Sequence, residues 1–303
     1  MMLRNENAKR MKKMEVDGKM IKRMTALCMA LLCLTLHASA ALRPQGSVNL
    51  LDGRTVLITV YLSDEGAEWT RPGVTYVHKA MKIATDYLAR QAAACGAQAE
   101  LIWDEEALTC DIYYEGMIDD SLLEDSTFYD TALSLIEKEL SIDAILRAYD
   151  TDSYGFVLIL PCWGGAYALP YDGEYEEDYQ EACVISLYDE ENDGEYQSVP
   201  VFAHELLHLF GAIDLYEENE MDGVTEALVE YIEENEPTEL MYYTYELDDT
   251  ASTTGITQTL SDVTLYSLGL ISYTPILDDF PLLKREDVAA FYDKTALYEA
   301  SEE

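Results

Sequence analysis

The chain has 303 residues, with 59 acidic against 19 basic side chains and a formal net charge of −40 at pH 7. A surface that negative repels nucleic-acid phosphates and anionic lipid headgroups, which excludes both as natural partners. Hydrophobic residues make up 49% and charged residues 26%, a globular composition that stays compatible with neutral or basic polymers and with divalent cations.

The chain opens with a leader. Lys9 to Arg23 is basic, Thr25 to Leu36 is apolar, and Ala38-Ser39-Ala40 is a small-x-small pattern, the layout of a secretory signal peptide. The apolar core is about a dozen residues, against the roughly twenty that a bilayer span needs. Residues 1–40 are therefore expected to be removed, with Met20 or Met24 as alternative starts and a retained anchor as the competing reading. The remaining 41–303 carries 11 basic and 56 acidic residues and is expected to be secreted, extracellular and monomeric, with no membrane insertion after signal cleavage. Cys95, Cys110, Cys162 and Cys183 stay in it, an even number in an exported chain. Disulfides are thus permitted, with Cys95–Cys110 and Cys162–Cys183 as one of three connectivities; no Cys-x-x-Cys spacing suggests a cysteine metal site.

Val56 to Leu62 reads as a buried strand and Val74 to Ala94 as a helix ended by Gly96. Ala99 to Trp103 and Asp111 to Tyr114 are short strands, and Thr127 to Tyr149 reads as one long amphipathic helix. Gly155 to Pro161 is apolar throughout and is expected at the centre of a sheet. Ala182 to Tyr188 is a further strand, and a helix starts at Ser198-Val-Pro with Ser198 as N-cap. This order predicts an α/β fold with helices packed on a mixed twisted sheet. Residues 41–211 are expected to form an upper lobe, 212–303 a smaller irregular lower lobe, and the cleft between them the site.

The informative stretch is Val201-Phe-Ala-His-Glu-Leu-Leu-His-Leu-Phe-Gly-Ala-Ile-Asp214. Residues four apart lie on one helix face, so His204 and His208 can hold a single Zn²⁺ between them. Glu205, on the adjacent face, can take a proton from a water that the metal activates. A catalytic site needs a third ligand. Gly211 stands where a helix can end with positive φ, and a turn there swings Asp214 back beneath the metal. Only three histidines follow the leader, and two are in this motif; His78 is read as structural or simply exposed.

His204-Glu-x-x-His208-x-x-Gly211-x-x-Asp214 resembles the extended zinc motif of the metzincin metallopeptidases, in the Asp variant of small secreted snapalysin-type peptidases. The resemblance implies a Met-containing turn below the metal, which Glu239-Leu-Met241-Tyr-Tyr243 fits with 32 residues between His208 and Met241. It also implies that Tyr243 contacts the metal or the developing oxyanion, and that Thr259 to Gly269 is the closing helix. Gly165-Ala-Tyr167 would start a substrate-binding edge strand. Asp214 in place of the usual His, and an acidic insertion before Met241, leave the subfamily open.

Two alternatives stand beside this. In a gluzincin-type peptidase Glu226 or Glu230 would be the third ligand. A non-catalytic secreted binding protein would keep the fold but lose a catalytic group, whereas His204, Glu205 and His208 are all present. Structural Ca²⁺ is compatible with the acidic clusters Asp172–Asp178 and Asp189–Glu195, although Pro200 stands where an EF-hand needs its twelfth-position Glu. The expected function is a zinc endopeptidase acting on polypeptide chains, with Glu205 and Tyr243 catalytic and His204, His208 and Asp214 as ligands.

Overall fold

The computed structural model describes residues 46–284 apart from 119, 124–125, 172–178, 190–194 and 247–249. The expected signal peptide and most of both acidic clusters lie outside the described residues. Strand β1 (Gly53–Ser63) leads through helix α1 (Arg71–Ala94) to β2 (Ala99–Ile102) and β3 (Thr109–Tyr113). Helices α2 (Ser126–Glu139) and α3 (Ile142–Tyr149) precede β4 (Ser153–Gly164), the short β5 (Ala166–Leu169) and β6 (Ala182–Asp189). Then follow α4 (Val199–Leu209), α5 (Glu226–Asn235) and α6 (Asp262–Ser267).

The strands form one mixed sheet in the order β2-β1-β4-β6-β5. β2 pairs with the first half of β1 and β3 with the second, both parallel. β4 and β6 continue the parallel sheet, and β5 turns back antiparallel on β6 to make the edge. As expected from its apolar run, β4 is central. Its residues are buried on both faces because each face carries a helical layer. Val157 and Ile159 pack with α1 and α4 in one apolar cluster. Phe156 and Leu158 pack with Phe128, Ile136 and Ile145 in the other.

Local chemistry explains α1. Thr70 caps it by accepting from the Gly73 N–H, Pro72 lies in its first turn, and Gly96 follows its end at φ 90°. Ser198 takes the cap position of α4, but its side chain accepts no cap hydrogen bond. The single helix expected over Thr127–Tyr149 is instead two, broken by Ser141 in an extended conformation (φ −99°, ψ 98°). Ile136 and Ile145 are nine residues apart and would face opposite sides of a continuous helix. The break lets both enter the same buried layer.

Of the disulfides that the sequence permits, none forms: Cys95, Cys110, Cys162 and Cys183 take part in no disulfide. Cys95 and Cys183 pack on the α1–α4 side of the sheet, Cys110 and Cys162 on the α2–α3 side. Each neighbour pair is therefore divided by the sheet itself. Beyond α4 the described residues have little regular structure. Even so, Leu215, Leu228, Ile232, Leu240, Met241 and Val263 join the same apolar cluster as α1 and α4. No helix among the described residues is long and apolar enough to cross a membrane.

Candidate metal centre

Helix α4 is buried on nearly all sides, so its polar residues are conspicuous: His204, Glu205 and His208 are each less than 9% exposed. Phe202, Leu206, Leu207 and Leu209 anchor the helix in the core. The helix stops at Gly211 (φ 93°), where the Gly211 N–H donates to the His208 carbonyl at 2.9 Å and the Ala212 N–H to the Leu207 carbonyl at 3.1 Å. This pair of bonds is a Schellman cap, which needs a left-handed residue that glycine supplies without strain. The reversal brings Asp214 back beneath the helix, as the spacing predicts.

His204 Nε2 and His208 Nε2 lie 3.1 Å apart. Asp214 Oδ1 lies 3.1 Å from the first and 3.2 Å from the second. Ligand atoms each about 2.0–2.1 Å from a tetrahedral ion are separated by roughly 3.3 Å, so the triangle fits one small cation. The tautomers fit as well. His204 Nδ1 faces the Leu240 carbonyl at 3.1 Å and His208 Nδ1 the Ala212 carbonyl at 2.9 Å. Each Nδ1 must carry the proton to donate there, which leaves both Nε2 lone pairs aimed at one point. Two lone pairs and a carboxylate oxygen that close repel one another unless positive charge lies among them. Asp214 Oδ1 is buried and makes no hydrogen bond of proper geometry, which is consistent with an atom reserved for a cation.

The electrostatics agree. Burial pulls the His208 imidazole down, but the Asp214 and Glu205 carboxylates outweigh it and leave the group at about 9. Burial pushes Asp214 up, yet the two imidazoles hold its carboxyl well below the usual range. Both shifts mark a point where a positive charge is favoured. Glu205 is raised, chiefly by burial, with His204 and His208 opposing and Asp214 adding to it. Its Oε2 is buried without a hydrogen-bond partner.

Among the described residues, the histidine, cysteine and carboxylate atoms able to share a metal are those of His204, His208 and Asp214. Glu226 and Glu230, the alternative third ligands, are exposed on α5 and are not in that group. The Met241 turn is where the motif predicts it. Met241 is fully buried, the neighbouring Leu240 carbonyl receives His204, and the Met241 carbonyl accepts from the Leu215 N–H at 2.9 Å. Tyr243, expected at the metal, is not among the residues that line the cavity; its ring packs on Tyr245 at 5.7 Å. The turn closes with the Tyr242 and Tyr243 N–H groups donating to the Glu239 carbonyl. The tyrosine nearest the centre is Tyr216, with its ring 6.4 Å from that of His204. Burial and the neighbouring acids push its phenol well above the ordinary value. His78 is exposed and pairs with Asp104 at 2.8 Å, a surface role as expected.

The centre opens into a cavity of about 870 Å³. It is lined by the edge strand, through Ala166, Tyr167 and Ala168, and by Tyr216, Met221, Tyr266 and Leu282. Glu181, buried at the start of β6, also reaches it. Sequence reasoning missed Tyr216, Glu181 and Glu239. Tyr216 had one available signal, its place two residues after the third ligand.

No family model matches the sequence, and no curated protein matches it. Among solved structures the chain is similar to metalloproteinase-II from Bacteroides fragilis, at 12% identity and a TM-score of 0.35. The match covers 73% of this chain and 55% of that one, so the chain spans little more than half of that protein's length.

Proposed function

We propose that this protein is a secreted zinc-dependent endopeptidase of the metzincin kind, in the snapalysin-like Asp variant, that hydrolyses polypeptide chains. The observation that carries the reading is the triangle of His204 Nε2, His208 Nε2 and Asp214 Oδ1 beside the unpartnered buried oxygen of Glu205. Two imidazoles and one carboxylate suit Zn²⁺ in a three-ligand site with one position open. A zinc ion held there supplies Lewis acidity and an acidified water.

The chain's own residues do the rest. Glu205 adjoins the ligands in an apolar pocket that raises its proton affinity, the property required of a group that accepts a proton and then returns it to the leaving amine. The Leu240 and Ala212 carbonyls hold the two imidazoles in the ligating tautomer. Tyr216 lines the cavity beside His204, where its hydroxyl can meet a developing oxyanion. An extended peptide laid along β5 would place a scissile carbonyl above the centre, since the edge strand offers its outer backbone groups for pairing.

The test is metal content by elemental mass spectrometry, on the wild type beside Asp214→Ala, together with peptidase activity of Glu205→Gln. About one zinc per chain is expected, greatly weakened without Asp214. Activity of Glu205→Gln should fall by roughly 10²–10⁴-fold with zinc retained. Zinc unaffected by loss of Asp214, or full activity without Glu205, would overturn the assignment. A protein that binds zinc yet cleaves no peptide in a broad library would be a binding protein on this fold.

A further inference from the structure

The metal centre rests on a second buried acid outside the motif. Glu239 is fully buried, although it is a carboxylate in a chain short of basic residues. Its Oε1 accepts from the Met241 N–H at 3.1 Å and from the Thr264 hydroxyl at 2.9 Å. Its Oε2 accepts from the Ser261 N–H. Burial raises its carboxyl, and these three donors oppose that. The donors lie on its own turn and at the start of α6, so one side chain ties the turn to the helix. The backbone repeats the tie, with the Leu240 N–H on the Thr259 carbonyl at 2.9 Å and the Thr259 N–H on the Thr238 carbonyl at 2.8 Å.

That turn presents two consecutive carbonyls to the metal centre. Leu240 O receives Nδ1 of His204, and Met241 O receives the N–H of Leu215, the residue after Asp214. His208 is held differently, by the Ala212 carbonyl within its own helix cap. We propose that Glu239 is a positioning residue for the metal centre, setting His204 and Asp214 through the turn 239–242, while His208 keeps its separate anchor in the helix cap. This rests on the metallopeptidase reading, to which it adds a residue that the zinc motif does not contain.

Chemistry singles out a carboxylate here. The position must accept from three donors on two segments and donate to none. A glutamine would set an amide N–H₂ against the Ser261 or the Met241 N–H, neither of which can turn round to accept. Removing the side chain would leave the Ser261 and Met241 N–H groups buried without their acceptor.

The experiment uses the full chain as Glu239→Gln, with Thr264→Val as a milder variant that keeps the carboxylate and removes one donor. Ile136→Val, in the apolar layer across the sheet, is the control for general destabilisation. Two readouts are taken: zinc affinity by chelator competition, and the imidazole ¹⁵N–¹H signals of His204 and His208 without added metal. Glu239→Gln should weaken zinc binding by about 10–100-fold, and Thr264→Val less but in the same direction. The Nδ1–H signal of His204, which faces the turn, should shift more than that of His208, and Ile136→Val should change neither. Wild-type affinity in a folded Glu239→Gln protein, or an unchanged His204 signal, would overturn the proposal. If Glu239→Gln does not fold, Thr264→Val decides by the same two readouts. A wild type that binds no zinc defeats the metallopeptidase reading instead, and the His204 signal still tells whether Glu239 positions that ring.

Discussion

At the residue scale, the centre depends on side chains whose partners are all fixed before any ligand arrives. His204 and His208 give their Nδ1 protons to backbone carbonyls, so neither ring needs to rotate or change tautomer to bind. Tyr216 lies beside them, its ring 6.4 Å from that of His204 and lining the same cavity, where its hydroxyl can meet a developing oxyanion. Tyr216→Phe should therefore leave zinc affinity near the wild-type level and lower kcat at saturating zinc by about 10²–10³-fold. Zinc affinity and kcat both at wild-type level would show the hydroxyl to be a bystander. The motif residues are legible in the sequence because two rare histidines, an acid and a glycine stand at spacings that a helix and its cap convert directly into geometry. Tyr216, Glu181 and Glu239 are not legible. Their roles come from neighbours brought in by the fold, and one tyrosine among 23 or one acid among 59 carries no mark of its own.

At the element scale, the decisive device is the end of α4. Gly211 at φ 93° converts the helix that carries His204 and His208 into a turn that delivers Asp214. An alanine there is forced into the left-handed region at a cost of about 1–2 kcal/mol, or it shifts the turn and moves Asp214. Gly96 offers a matched control, since it ends α1 at φ 90° with nothing near its missing Cβ and lies outside the cavity. Both Gly211→Ala and Gly96→Ala should lower the melting temperature by a few degrees. Only Gly211→Ala should also weaken zinc binding, so equal affinities in the two variants would separate the cap from the centre. The sheet is readable for a related reason: β1, β4 and β6 are buried on both faces and are rich in apolar and β-branched residues. The α2–α3 break is not, because each half has helical periodicity and nothing local distinguishes one helix from two. What separates them is the need for Ile136 and Ile145 to share a layer.

At the scale of the whole molecule, Glu181 joins parts that are far apart in sequence. Its carboxylate accepts from the Val48 N–H at 2.6 Å and the Tyr171 N–H at 2.9 Å, and its own N–H donates to the Ser47 hydroxyl at 2.8 Å. The first described residues, the start of β6 and the segment after β5 are pinned together beside the cavity that Val48, Leu50 and Tyr171 help to line. Burial pushes this carboxyl from 4.5 up to about 7, against the two N–H groups that favour its charged form. Tyr129, packed nearby, also feels its charge. In the unfolded chain the group ionises near 4.5, so between that pH and 7 the folded state holds a proton that the unfolded state has released. The folded state is thus favoured by this group at low pH, and the advantage is lost as pH rises toward 7. The full effect is about 3 kcal/mol at most, on the order of several degrees in melting temperature for a chain of this size. Glu181→Gln keeps an acceptor for one N–H and cannot ionise, so its stability should lack this component. Melting curves of wild type and variant from pH 4.5 to 7.5 should converge or cross as the wild type loses stability relative to the variant. Curves that stay parallel across that range would mean that Glu181 ionises alike in both states, and that the tie at the cavity wall is held by a charged carboxylate at every pH where the protein folds.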